Sequence, residues 1–76
     1  MIMNGIDLKN RKLIVSCSNN LQYSGLMTLD FAISHTNMLV PDVQITVAIM
    51  EENGVDGSII RIATRENGVW KLENCL

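Results

Sequence analysis

SIIRIATRENGVWKLENCL, residues 58–76, decides how this chain is read. Ile59, Ile60, Ile62 and Ala63 lead into Glu66-Asn67-Gly68, and Val69, Trp70 and Leu72 follow, so strand-forming residues flank a turn signal on both sides. Two hairpin registers compete here. A three-residue loop places Gly68 in its left-handed last position and sets Thr64 against Trp70, Ile62 against Leu72 and Ile60 against Asn74 on one face. Arg61 then pairs with Glu73 on the other face. A two-residue Asn67-Gly68 turn instead sets Ile62 against Glu73 and Arg65 against Trp70, which scatters apolar residues over both faces. The three-residue loop is the expectation.

Working back from this hairpin, Glu-Asn-Gly-Val occurs at residues 52–55 as well as 66–69, which implies two hairpins in a row. Val43, Ile45, Val47 and Ile49 alternate with Gln44, Thr46 and Ala48, the pattern of a central strand with one buried face. Copying the second register onto the first hairpin splits the core face, and the additional Asp56-Gly57 calls for a longer loop or a bulge. Residues 35–42, closed by Pro41, read as a connecting loop. Over residues 26–35, a helix capped by Ser24 places Asp30 between Leu26, Met27 and Ile33 on the apolar side. A period of two groups Met27, Leu29, Phe31 and Ile33 instead, so a strand is predicted. Residues 11–17 form another strand, with Leu13, Val15 and Cys17 inward, and Ile6 and Leu8 extend it or add a short edge.

The fold class is therefore mainly β: about five antiparallel strands in a meander, forming a small open barrel or a single curled sheet. Residues 1–76 make one small domain. An open sheet leaves an apolar face to be completed by dimerisation or by a partner.

Composition agrees with a folded chain, since 47% of the residues are hydrophobic and 18% charged. Trp70, Tyr23 and Phe31 are the only aromatic rings, so Ile, Val, Leu and Met must fill the core. Apolar content of this order in so short a chain predicts self-association as a homodimer. The net charge of −2 has the wrong sign for phosphate-driven binding. Two basic groups, Lys9, Arg11 and Lys12 and then Arg61, Arg65 and Lys71, each sit among carboxylates. Without a basic leader or a long apolar run, a cytoplasmic, membrane-free location is expected, in which Cys17 and Cys75 stay reduced. A disulfide pinning the C-terminal strand would require export.

Chemistry finds little support in the residues. His35 is the single histidine, and no spacing joins it to Cys17 as base and nucleophile. His35 and Met38 with a cysteine are a thin set of soft metal ligands. Residues 51–57 lack the spacing of a calcium loop, and no glycine-rich phosphate motif occurs. The chain is accordingly not expected to be an enzyme, and no catalytic, cofactor or metal site is assigned.

The expected function is a non-enzymatic protein–protein interaction module, a small inhibitor or adaptor of the kind a mobile element encodes. Its contact residues would be Trp70 at a hairpin tip, flanked by Arg65 and Lys71, with Tyr23 as a further anchor. The competing reading of Trp70 packs it over Ile62 and Leu72. A small nucleic-acid-binding β-barrel using the basic groups is the alternative function, and an enzyme or metal carrier around His35 ranks below it.

Overall fold

The computed structural model describes residues 8–52 and 56–73. Strands β1 (Arg11–Cys17) and β2 (Gln22–Met27) are followed by helix α1 (Leu29–Leu39) and by β3 (Val47–Glu52), β4 (Ile59–Glu66) and β5 (Val69–Leu72). All strand pairs are antiparallel, in one open sheet of order β2-β1-β3-β4-β5. The mainly β class is as expected, and the sheet does not close into a barrel. Sequence neighbours pair in the β1–β2, β3–β4 and β4–β5 hairpins. The connection from β2 to β3 carries α1 and steps across β1.

The β1–β2 hairpin uses the three-residue loop that was expected elsewhere. Asn20 N donates to Cys17 O (3.1 Å), Cys17 N donates to Leu21 O (2.9 Å), and Asn20 holds φ +75°. Asparagine tolerates that conformation because its short polar side chain bonds locally. β2 itself (Gln-Tyr-Ser-Gly-Leu-Met) is poor in β-branched residues, and its pairing with β1 from Arg11↔Met27 to Ser16↔Gln22 sustains it.

Residues 29–39 are helical, which corrects the strand predicted over 26–35. The cap is Thr28 rather than Ser24: its backbone is extended and its Oγ1 accepts from Phe31 N at 3.0 Å. Starting there, Leu29, Ala32, Ile33 and Thr36 form the buried stripe at helical spacing. Leu26 and Met27, which had made Asp30 look misplaced, belong to β2. Asp30 stands in the first turn, where the helix dipole favours a carboxylate. Pro41 then stops the helix after Val40, whose N–H donates to Thr36 O.

The strand expected from Val43 begins at Val47. Asp42 folds the chain first, accepting from Gln44 N at its side chain and from Ile45 N at its carbonyl.

The β4–β5 hairpin takes the two-residue turn, a correction of the expected register. Asn67 (φ +52°) and Gly68 (φ +81°) are both left-handed, Arg65 pairs with Trp70, and Glu73 N donates to Ile62 O. Apolar residues are not scattered, because β4 changes parity along its length. Ile49 pairs with Ala63 but Met50 pairs with Arg61, so Ile62 is the additional residue of a bulge. Ile62 and Ala63 are both fully buried. The expected Arg61–Glu73 ion pair forms at 3.4 Å. The Asn74 pairing, Cys75, Ile6 and the Asn53-Gly54-Val55 repeat lie outside the described residues.

The core is built on Leu13, Val15, Cys17, Met27, Val47, Ile49, Ile62 and Ala63 from the sheet, packed with Leu29, Ala32 and Ile33 of α1 and with Val40 at its end. One helix cannot cover that sheet. Five strands at ~4.8 Å spacing are roughly twice as wide as a helix of ~10–12 Å diameter. Apolar side chains therefore remain exposed on both sides of α1: Phe31 and Leu39 on the helix, and Val43 and Leu72 toward the β5 end.

Candidate functional site

Arg65 and Trp70, paired across the β4–β5 hairpin, meet the C-terminal half of α1 through one side chain, Asn37. Arg65 Nη1 and Trp70 Nε1 both donate to Asn37 Oδ1, each at 3.1 Å. Arg65 Nη2 donates to Asp42 O (3.1 Å) and, over a longer contact, to Ile45 O (3.4 Å). Its guanidinium carbon stands 5.9 Å from the Trp70 ring centroid, within cation–π range.

Arg65 is only 3% exposed, and no carboxylate pairs with it among the described residues. Its Nε is buried with no hydrogen-bond partner there. Carbonyl dipoles take the place of a counter-ion, from Asn37 in the last turns of α1 and from the turn that follows. That is the end of a helix where positive charge is favoured, and α1 has no basic residue of its own in its last turn.

On the other side of α1, the Tyr23 hydroxyl and Thr36 Oγ1 share a 2.6 Å hydrogen bond. His35 stacks on Phe31 (5.1 Å between centroids) and meets Tyr23 edge-on (5.6 Å). Burial pushes the Tyr23 hydroxyl above its ordinary range, partly offset by the bond to Thr36. Cys17 lies between these groups and Arg65. Burial raises its thiol and the Arg65 charge pulls it part of the way back. A buried, protonated thiol is a poor nucleophile.

Of the residues expected to contact a partner, the structure unites Arg65 and Trp70. Arg65 was expected beside Trp70 at the surface; it stands beside the ring but in the interior. Lys71 is exposed and, next along β5, points to the opposite face of the sheet, while Tyr23 lies across the sheet on β2. Trp70 is neither bare nor fully buried; it packs against the core with part of its ring open.

The chain matches no protein-family model, no curated protein and no solved structure. The geometry must carry the reading alone. Among the described residues, no group of three or more His, Cys, Asp or Glu side chains is placed to hold a metal. No helix there is long and apolar enough to cross a membrane. Sequence reasoning missed Asn37, which fell in a supposed loop, and separated Phe31 from its exposed place by grouping it with Met27, Leu29 and Ile33 on one strand face. A helical reading from Thr28 would have exposed Phe31 and put Asn37 on α1, without announcing Asn37 as the acceptor for Arg65 and Trp70.

Proposed function

We propose that the protein is a non-enzymatic protein–protein interaction module, a small cytoplasmic inhibitor or adaptor of the kind mobile elements carry, which meets its partner with the Trp70 end of the sheet. The observation that supports this is the held indole. Asn37 and Arg65 hold the ring, while Leu72, two residues along the same face of β5, and Val43 (52% exposed), which lies against Gly68 of the adjoining turn, stand open. An anchor already fixed in place loses less side-chain freedom on binding, and tryptophan is prominent among residues that dominate interfaces. In this reading Arg65 positions the ring and Lys71 supplies charge at the rim.

Protein is favoured over nucleic acid as the partner because Arg65 is withdrawn inside. Lys71 is then the exposed cation on β5, on a chain of net charge −2.

The test is affinity capture from a nuclease-treated lysate of the source organism, comparing the native chain with Trp70→Ala and Val43→Asp, each first verified as folded by circular dichroism. A stoichiometric protein retained by the native chain and lost with both variants is the expected result. Equal recovery by all three overturns the assignment of this surface.

A further inference from the structure

We propose that the chain forms a two-fold dimer in which β2 pairs antiparallel with β2 of a second copy, joining the two sheets edge to edge. The two edges of the sheet differ in how they are protected. β5 is four residues long, contains Lys71 and is bracketed by Glu66 and Glu73. Short length and charge are the usual guards against unwanted strand pairing. β2 is six residues long and has neither guard: from Ser18 to Leu29 the chain contains no charged residue and no proline. Among the described residues its outer side pairs with no strand.

An open edge alone would accept many strands, and the helix beside it selects the second copy. Two identical antiparallel strands are related by a two-fold axis perpendicular to the sheet, which keeps both copies of α1 on the same face. The flank of α1 on the β2 side then meets its twin. That flank carries Phe31 (52% exposed) and Leu39 (51%), with His35 stacked on Phe31 and touching Tyr23 of β2, and Met38 (79%) stands on the outward crest of the helix.

One symmetry operation thus satisfies the strand edge and covers the apolar flank. Because residues 18–29 are uncharged, no like charges are opposed across the strand seam. A stable interface buries roughly 1,000 Å² or more, and a six-residue strand edge is thin for that by itself; Phe31 and Leu39 add apolar area. A foreign strand would leave the flank bare unless it brought a matching one. The dimer is independent of the Trp70 reading, since the two surfaces lie at opposite edges of the sheet.

Ser24 is exposed near the middle of β2, so a charge there leaves the core untouched and faces its twin across the axis. Sedimentation equilibrium of the full chain at micromolar concentration is expected to give a dimer mass. Ser24→Glu and Ser24→Lys, each alone, are expected to weaken the dimer about tenfold or more, and an equal mixture of the two to restore it. Phe31→Glu is expected to give a monomer that no mixing with either Ser24 variant rescues. A monomeric native chain, unweakened dimers in both Ser24 variants, or no restoration on mixing would each overturn the proposal. None of these outcomes bears on partner capture through Trp70.

Discussion

At Gly68 the backbone is left-handed, and a Cβ placed there would lie 3.1 Å from Val43 Cγ1. Both penalties act on a Gly68→Ala variant, which is expected to lose ~1 kcal/mol or slightly more, read as a lower urea midpoint. Glycine at this position was legible in the sequence, but it could not choose the register, because both candidate loops place Gly68 in the left-handed region. The residue that distinguishes them is Asn67, whose own φ is positive, and asparagine is compatible with either turn. Arg65 was less legible still. Charged side chains are assigned to the surface by default, and nothing local to β4 announces acceptors on Asn37, Asp42 and Ile45, which come from distant parts of the chain.

The helix depends on its first residues. Thr28→Ala removes the acceptor for Phe31 N and is expected to cost ~1 kcal/mol, with a matching loss of midpoint in a urea melt followed at 222 nm. Ser24→Ala, at the cap of the helical alternative set aside for a strand, is the control and should leave the midpoint nearly unchanged. The misreading had a physical source. Met27, Leu29 and Ile33 are all buried at odd positions, but the first faces inward from a strand and the others from a helix, so two periodicities met without a glycine or proline between them. β1 was legible because its apolar run is bounded on both sides. β4 was half legible: Ile60 and Ile62 keep one parity, Ala63 and Arg65 the other, and a uniform period admits only one of them. The bulge at Ile62 reconciles the two, and also leaves Arg61 outward to meet Glu73.

Across the whole molecule, Arg65 ties α1, the turn before β3 and the last hairpin together. Arg65→Ala is expected to destabilise by ~3 kcal/mol, because a buried side chain is lost together with its hydrogen bonds to three carbonyl oxygens, even though Asn37 Oδ1 keeps Trp70 Nε1 and Asp42 O keeps Ile45 N. Arg65→Lys should recover little of this, since one ammonium cannot reproduce a planar fork reaching Asn37 and two backbone carbonyls; denaturant midpoints of the two variants against the native chain measure both effects. The incomplete cover of the sheet was legible from size and apolar content, although the single helix that provides the cover was not.

The molecule measures only 17 Å along its shortest axis. In so thin a slab no interior group is far from a high-dielectric boundary, and the polarisation of water acts on Arg65 even where water does not touch it. Charges near a protein surface behave as though in a medium of effective dielectric constant ~20 rather than ~4. A guanidinium held, among the described residues, by neutral dipoles costs more the farther it lies from solvent, and here the thinness of the fold lowers that cost.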